Sequence, residues 1–475
     1  MPSLYILIPL LAIMVMNMPF KPVKRLAFWF AILLFVVQIA LSVFHFPHIL
    51  RNDFGAMDRF FKMNFFIDHL SSIVFFCIGV VSLASLAVAR HTIIEERYRF
   101  KFINLLVLES IGMCGIVLAQ DIFSLYVFLE ITAVTSFIMI AFQKELESLE
   151  GAFKYIIASV VATVFMLASI ALILLISPDT SFSSIAYALK SSPNSPLIIF
   201  SIALFICGLL IKGALVPFHG WLPDAYASAP APVSVLLAGI ITKACGIYTL
   251  IRLVTAVFGF TDPVKNTIMF TGTISILVGA FAALGQNNFK RLLAYSSISQ
   301  VGYIILGLGT GTPLGIAGAA FHLFNHSIFK SLLFVNSAAV EEETGTVDID
   351  KMGGISARMP TTGATSVIAV LSASGIPPLS GFWSKLMIVV ALWQCGRYGY
   401  AVTAVLAGVL TLAYLLKIER KVFFGKLKPG LEYIKEPGLG IISISVVLAA
   451  ITIAAGLFFP IFYTKLIMPI GMISQ

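Results

Sequence analysis

The feature that most constrains this chain is a series of long apolar runs that continues through almost the whole sequence. Most runs hold about 18 to 24 mostly apolar residues, the length that an α-helix needs to cross the hydrocarbon core of a bilayer. The sequence predicts fourteen spans, numbered 1 to 14 in chain order, at residues 2–18, 26–46, 69–90, 102–119, 121–142, 155–177, 197–218, 231–256, 266–285, 290–309, 313–340, 361–396, 398–419 and 438–460. With 59% hydrophobic and 11% charged residues, the chain is predicted to be an all-α polytopic membrane protein.

The N-terminal run and the cysteines exclude several other features. The run at 2–18 follows no basic segment and lacks a small-residue cleavage site, so it is predicted to be a retained span. The five cysteines all lie in apolar runs, with no CxxC pair and no histidine spaced to complete a metal site. We therefore expect no disulfide, no metal, no iron–sulfur cluster and no other cofactor, so that the chain carries no redox centre of its own.

Basic residues indicate how the chain is oriented. The net charge of +9 is spread over short loops, which does not favour nucleic-acid binding. Loops after odd-numbered spans hold 18 lysines and arginines, whereas the loops and span ends of the opposite side hold 7. By the positive-inside rule, the odd-numbered loops are predicted to be cytoplasmic and both termini to lie on the outer face of a bacterial or archaeal cytoplasmic membrane.

Two lysines, Lys212 and Lys243, lie inside apolar segments that lipid should surround. A charge at the centre of a bilayer costs at least a few kcal/mol, so such a residue indicates a functional site by default. Pro217 follows Lys212 by five residues and has no N–H for the helix, which predicts a break in span 7. Span 12 contains Gly375, Pro377, Pro378 and Gly381 before Lys385, and it is interpreted as one broken helix.

The two broken spans occupy equivalent places in two predicted repeats. Spans 4–8 and 9–13 form five-helix units, and because five is odd, the second unit must be inverted relative to the first. Each unit contributes one proline-broken helix with one buried lysine, a layout typical of secondary ion transporters. The predicted divisions are 1–101 for three N-terminal spans, 102–256 and 266–420 for the repeats, and 421–475 for the last loop and span.

Glu130 is the carboxylate predicted to partner one of these lysines. It lies nine residues into span 5, near the bilayer centre, and it could pair with Lys212 or with Lys243. A nearby change of charge could switch the protonation of either partner, although a static buried ion pair is an alternative. Glu109 in span 4 is a weaker candidate of the same type, and Lys417 is expected to extend its amine toward the cytoplasmic surface.

Span 11 carries His322, His326 and Lys330 at spacings of four residues. These side chains should be stacked along one helix face, and imidazole takes up and releases protons near neutral pH. The stripe therefore favours a hydrated proton relay over a metal site, for which no third ligand lies nearby in sequence. With Glu130, Lys212, Lys243 and Lys385, it places titratable groups on five helices at similar depth.

Five blocks of this sequence resemble the antiporter-like subunits of respiratory complex I, of Mrp-type cation/proton antiporters and of membrane-bound hydrogenases. The blocks are DIFSLYVFLE (121–130), KGALVPFHGWLPDAYASAPAPVSVLL (212–237), QNNFKRLLAYSSISQVGY (286–303), FHLFNHSIFKSLLF (321–334) and SGIPPLSGFWSK (374–385). The resemblance implies an ion path through Glu130, Lys212, Lys243, His322, His326 and Lys385. It also implies other membrane subunits as partners.

Three departures bear on the subtype. Asn288 stands where the family often has Asp, and Lys385 stands where one class of complex I subunit has Glu. The chain ends soon after span 14 and is expected to lack a long lateral helix. A middle complex I subunit, a D-type antiporter subunit and the corresponding hydrogenase subunit remain possible.

The sequence thus predicts a subunit that translocates H⁺ or Na⁺, driven by a redox arm elsewhere in its complex or by an opposing ion gradient. The alternatives are a self-contained secondary transporter of a small solute with the same inverted-repeat plan, and a scaffold subunit that has lost transport.

Overall fold

A computed structural model describes residues 1–19, 21–51, 56–60, 63–191 and 195–472. Its α-helices are α1 (Leu4–Met16), α2 (Lys21–Arg51), α3 (His69–Thr92), α4 (Glu96–Leu118), α5 (Ile122–Ile140), α6 (Leu146–Ile173), α7 (Phe182–Ser191), α8 (Pro196–Lys212), α9 (Trp221–Ser228), α10 (Ala231–Leu236), α11 (Thr249–Leu253), α12 (Asp262–Leu284), α13 (Phe289–Gly309), α14 (Pro313–Thr344), α15 (Pro360–Ser374), α16 (Ser380–Gln394), α17 (Tyr398–Ile418), α18 (Leu439–Leu457), α19 (Phe459–Phe462) and α20 (Met468–Gly471).

Shorter elements complete the chain. Turns of π-helix at Leu237–Ile241, Lys243–Tyr248 and Val254–Phe258 join α10 and α11 into the continuous span Ala231–Phe258. Further π-helical turns lie at Glu419–Phe423 and Tyr463–Ile467, and 3₁₀ turns lie at Ala141–Gln143, Ile349–Lys351 and Ile355–Ala357. Strands β1 (Ala56–Phe60) and β2 (Met63–Ile67) pair antiparallel, with Ala56 opposite Ile67.

The protein is a helical membrane protein. Within the described ranges, ten helices are long and apolar enough to cross a membrane, and α1 and α8 are shorter apolar helices. Some short elements lie outside the predicted spans. They include the β-hairpin between spans 2 and 3, α7 between spans 6 and 7, and α9 between spans 7 and 8.

Polar N-cap residues set where several helices begin. The carboxylate of Asp68 accepts a hydrogen bond from the Ser71 amide at the start of α3, and that of Asp121 accepts one from the Ser124 amide at the start of α5. Asn288 caps α13 in the same way. Each side-chain oxygen satisfies an amide that has no partner within its helix.

The helices pack in an inner and an outer layer. The span Ala231–Phe258 is buried from Pro232 to Val254, and α14 is buried from Gly315 to Val340, where it contacts α3, α13, α15, α16 and α18. Outer helices such as α6 and α17 expose apolar side chains, including Val160 and Val409. An apolar exterior around a buried core with polar groups is the arrangement that a lipid environment requires.

Small residues allow α12 and α13 to approach closely. A Cβ atom added to Gly279 would lie 2.6 Å from the Ser299 amide nitrogen, and one added to Gly302 would lie 2.6 Å from the Gly272 carbonyl oxygen. Contacts between small residues are a common basis of helix packing in membranes, where backbones gain van der Waals contact by close approach.

The ends of the helices gather at two opposite faces. One end lines a cavity of about 1220 Å³ with residues from 91–95, 142–154, 224–231, 288–291 and 338–347, and we call it the cavity face. The other end carries the β-hairpin, which pairs with Ala119, while Asp121 pairs with Ser181 nearby; we call it the hairpin face. Accordingly, α8 and α9 run from the hairpin face to the cavity face, whereas α15 and α16 run in the opposite direction.

Candidate functional site

Both predicted helix breaks are present in the structure. The first separates Lys212, the last residue of α8, from Trp221, the first residue of α9. The indole nitrogen of Trp221 donates to the Ile211 carbonyl at 3.0 Å, and the Ser275 hydroxyl accepts from the Val216 amide at 3.0 Å. These bonds satisfy backbone groups that the break removes from the helical ladder.

Glycine allows the span Ala231–Phe258 to lie against the first break. A Cβ atom on Gly246 would be 2.4 Å from the Gly213 Cα atom, a distance that no side chain tolerates. Gly246 therefore brings the helix that carries Lys243 next to the end of α8.

The structure pairs Glu130 with Lys212 and not with Lys243. The Lys212 amine lies 3.3 Å from Glu130 Oε1 and donates to the Ser159 hydroxyl at 3.1 Å, while Thr163 donates to the same Glu130 oxygen at 2.6 Å. The Glu130 side chain is 31% exposed and that of Lys212 is 5% exposed. One partner of the pair therefore lies partly at the protein surface, whereas the other is buried.

Lys243 lies one helix further in and is 1% exposed. It begins a π-helical turn, and turns of this type occur frequently at functional sites. Its amine has no hydrogen-bond partner among the residues that the structure describes. Lys243 is nevertheless close enough to His326 and Lys330 to interact with both electrostatically.

The predicted stripe on span 11 is present on α14. His322, His326 and Lys330 are all 0% exposed, and the two imidazole rings lie 6.4 Å apart with their planes 8° from parallel. His322 Nδ1 is 2.9 Å from the Ser384 hydroxyl of α16. Neither ring nitrogen of His326 has a partner within the described part of the chain.

Lys330 points from the stripe toward α13. Its amine donates to the Leu293 carbonyl at 3.0 Å and to the Ser296 hydroxyl at 2.7 Å. Ser296 in turn donates to the Tyr414 hydroxyl of α17 at 3.1 Å. Lys330 thus connects the stripe on α14 to two neighbouring helices.

Lys385 lies at the second break, between α15 and α16. Gly375 ends α15 with φ +82°, a conformation that glycine adopts without strain. The Lys385 amine donates to the Ala373 carbonyl at 2.7 Å and lies 4.6 Å from the centre of the Tyr303 ring. A lysine therefore donates to a backbone carbonyl at the second break, whereas Lys212 at the first break contacts a carboxylate and a hydroxyl.

The two weaker candidates occupy different settings. Glu109 is 0% exposed and accepts from the Ser136 hydroxyl at 3.0 Å. The Lys417 amine donates to the Leu284 and Gln286 carbonyls at 2.9 and 2.7 Å. It therefore caps the end of α12.

Sequence reasoning missed several buried charged groups. Arg252, which was counted among the basic residues at span ends, donates to both carboxylate oxygens of Asp68 at 2.6 and 2.9 Å. Lys290 pairs with Glu341 at 2.6 Å. Glu419 is 2% exposed and accepts from the Ser366 hydroxyl at 2.6 Å. Since its neighbours include Lys417, Arg420 and Lys421, its sequence context is typical of a solvated charge run.

The cavity has a strongly charged lining. Asp224 of α9 lies between two bases, 2.7 Å from Lys154 of α6 and 2.7 Å from Arg291 of α13. Glu341 and Lys290 also line the cavity. Side chains from the two predicted repeats, 102–256 and 266–420, therefore meet in this cavity.

The chain matches the model of a known protein family. Residues 119–411, more than half of the sequence, match the family described as "NADH:quinone oxidoreductase/Mrp antiporter, TM". This chain belongs to that family. The match contains all seven of the predicted site residues, from Glu130 to Lys385.

Curated relatives come from two kinds of complex. The antiporter-like chain is 35% identical over 337 residues to NADH-quinone oxidoreductase subunit N of Desulforudis audaxviator, covering 70% of this chain and 67% of the relative. It is 33% identical over 351 residues to the D-type subunit of the Na(+)/H(+) antiporter of Alkalihalophilus pseudofirmus, covering 74% of this chain and 71% of the relative.

Solved structures show the same fold. A chain of the Mrp complex from Dietzia sp. DQ12-45-1b superposes with a TM-score of 0.91 at 23% identity, covering 100% of this chain and 97% of the other. A chain of the membrane-bound sulfane sulfur reductase, an archaeal respiratory membrane complex, superposes with a TM-score of 0.89 at 26% identity, covering 100% and 98%. Family and fold therefore favour an antiporter-like, ion-translocating subunit over a self-contained solute transporter.

Proposed function

We propose that this antiporter-like chain moves protons through a row of buried groups, as one subunit of a larger membrane complex. The row begins at Glu130 and Lys212, continues through Lys243 to the stripe on α14, and ends at Lys385. The row therefore consists of seven residues: Glu130, Lys212, Lys243, His322, His326, Lys330 and Lys385. The observation that carries the proposal is that the row has a broken helix at each end and six buried bases, two beside the breaks and four between them.

The chemistry of the row favours protons over sodium. Lysine and histidine bind and release protons, whereas Na⁺ is a hard cation that requires oxygen ligands. The central groups lie close enough to interact, because His326 has electrostatic interactions with Lys243, Lys330 and Lys385. Each added positive charge raises the electrostatic cost of the next, so the protonation states of these groups are coupled.

The architecture of the proposed transporter follows the fourteen predicted spans. Residues 102–256 and 266–420 form the two inverted repeats, preceded by 1–101 and followed by 421–475. The opposite directions of the two broken helices support inversion. Each break also lies beside one lysine of the row.

We infer that the cavity face is cytoplasmic and that both termini lie on the outer side of a bacterial or archaeal cytoplasmic membrane. The excess of basic residues in loops of the cavity face supports this orientation. Other membrane subunits of a complex I-like, hydrogenase-like or Mrp-like assembly supply the driving force, either from electron transfer or from an opposing ion gradient. The solved structures with this fold are parts of multisubunit complexes.

Replacing Lys212 tests the proposal. In proteoliposomes that hold the complete complex, energised by its own electron-transfer or antiport reaction, Lys212→Ala should abolish proton translocation. The substitution removes the base that accepts a proton from Glu130 and leaves that carboxylate without its cation. A pH-sensitive dye inside the vesicles measures the gradient.

The control is Lys190→Ala, because Lys190 is an exposed lysine on the hairpin face. This variant should pump like the parent protein. Normal proton translocation by an assembled Lys212→Ala complex would refute the proposed path.

A further inference from the structure

Glu419 is a buried carboxyl group that the proposed row does not include. It lies in the π-helical turn after α17, with 2% of its surface exposed. Ser366 of α15 donates to its Oε1 atom at 2.6 Å, and its Oε2 atom has no hydrogen-bond partner among residues 1–19, 21–51, 56–60, 63–191 and 195–472. A buried carboxyl oxygen without a partner is costly, so it calls for an explanation.

The basic residues next to Glu419 in sequence do not neutralise it. Lys417 donates to carbonyl groups at the end of α12, and Lys421 pairs with Asp350. The Arg420 residue is exposed. In the part of the chain that is described, Glu419 thus takes part in no ion pair, in contrast to Glu130 and Glu341.

Several buried polar groups lie along α14 between Glu419 and Lys330. Thr365, the neighbour of Ser366, donates to Asn336 Oδ1 of α14 at 3.3 Å. The Asn336 Nδ2 and Ser337 Oγ atoms are buried and have no partners within the described ranges. Asn336 is six residues beyond Lys330, or about 9 Å along the helix axis.

A second connection follows α17. Lys330 donates to Ser296, and Ser296 donates to Tyr414. Tyr414 precedes Glu419 by five residues, or about 7.5 Å of helix. Two helices therefore lead from the environment of Lys330 to the same carboxyl group.

We propose that Glu419 is a further proton-binding residue of this transporter and exchanges a proton with Lys330. The proposal rests on the proposed function, since it adds a branch to that row. In the transfer, the Lys330 ammonium gives one proton through water to the Glu419 carboxylate, which leaves a neutral amine and a carboxylic acid. The unpaired atoms of Asn336 and Ser337 are positions at which such water can bind.

The branch leads toward the cavity face. The residues after Glu419 enter the segment 424–438, in which Glu436 caps the start of α15 by accepting from the Thr362 amide at 3.3 Å and from the Thr362 hydroxyl at 2.8 Å. Glu419 also follows Lys417 by two residues, and the Lys417 amine caps the end of α12, four residues before Asn288 of the cavity lining. The purely structural alternative is that Glu419 only accepts a hydrogen bond from Ser366.

The test compares Glu419→Gln with Glu432→Gln, because Glu432 is an exposed carboxyl group in the same part of the chain. Infrared difference spectra of the purified complete complex, recorded across a pH change, should contain the band of a buried carboxyl group. Glu419→Gln should lose this band, whereas Glu432→Gln should retain it. Glu419→Gln should also translocate protons at least about tenfold more slowly, while Glu419→Asp should recover part of the rate.

Ser366→Ala provides a second measurement should the glutamine variant fail to assemble. It leaves the carboxyl group in place but removes its donor, so the infrared band should shift. An unchanged band in this variant, or full transport by assembled Glu419→Gln, would overturn the inference. If Lys212→Ala is inactive while Glu419→Gln pumps normally, only the branch fails; if Lys212→Ala also pumps normally, the whole proposed path fails.

Discussion

Lys212 and Lys385 are the same residue type beside two similar helix breaks, but their surroundings differ. The charge of Lys212 faces the carboxylate of Glu130. The amine of Lys385 instead contacts the Ala373 carbonyl and the face of the Tyr303 ring. A carbonyl dipole and an aromatic face hold a cation less strongly than a full negative charge does. We therefore expect Lys385 to be the end of the row from which a proton is released.

Charge reversal at Lys385 should disable transport more than a conservative change. Lys385→Arg retains a cation that can donate to Ala373 and lie over the Tyr303 ring. Lys385→Glu would place a carboxylate against the negative ends of both groups. Its proton gradient should be lower than that of Lys385→Arg by about tenfold, the factor that about 1.4 kcal/mol represents.

The gradient built by each assembled variant is the measurement, and Lys190→Glu controls for a charge reversal at an exposed site. Pumping by Lys385→Glu at the parental rate would show that a charge of either sign suffices at the exit.

At the scale of elements, two aspartates cap helices in the same way, but only one of them also forms an ion pair. Comparing them isolates the contribution of that ion pair. Asp68 and Asp121 each cap a helix by accepting an amide hydrogen bond, at 2.9 and 2.7 Å. Asp68 also binds an arginine, Arg252 of α11, with both oxygens, whereas Asp121 forms no ion pair with any residue that the structure describes. This pair attaches the start of α3 to the end of the span Ala231–Phe258.

Asp68→Ala should destabilise the protein more than Asp121→Ala does. Loss of a cap costs about 1 kcal/mol, and removing one partner of a buried ion pair costs about 3–5 kcal/mol. Thermal unfolding of the purified complex in detergent provides the comparison. Equal losses of stability in the two variants would show that the pair with Arg252 contributes nothing to the docking of these helices.

Some elements of this fold can be predicted from a sequence pattern, and others cannot. The breaks were predictable because proline lacks an amide for the helical ladder. Helix α9 and the β-hairpin were not, since α9 has eight residues and the strands have five each. Segments this short have too few turns or alternations for periodicity to identify them. In the folded protein, α9 packs against α6, and strand β2 packs against α4.

At the scale of the whole molecule, the two faces predict how the protein lies in its membrane. Ser183 is exposed near the hairpin face, and Glu432 is exposed in the segment after α17 near the cavity face. In a background without the five native cysteines, we expect a membrane-impermeant maleimide to label Ser183→Cys in intact cells. Glu432→Cys should react only after the membrane is permeabilised.

Labelling of Glu432→Cys alone in intact cells would reverse the proposed orientation. Labelling of both positions would mean that the two faces are not on opposite sides of the membrane. Detergent-solubilised protein, in which both cysteines should react, is the control for accessibility.

The class of protein, most of the spans, the two breaks and the residue types of the row could be predicted from the sequence alone. These features depend on local properties, namely the length of apolar runs, the missing amide of proline and the four-residue spacing on α14. The family was also accessible, because its motifs are contiguous blocks.

Only the tertiary structure decided which charges are partners. Glu130 and Lys212 are 82 residues apart, and Asp68 and Arg252 are 184 residues apart. Glu419 is followed by Arg420 and Lys421 in the sequence, yet the packing of α15 against the end of α17 buries it. Burial and pairing depend on distances between helices that are remote in sequence, and no local pattern encodes those distances.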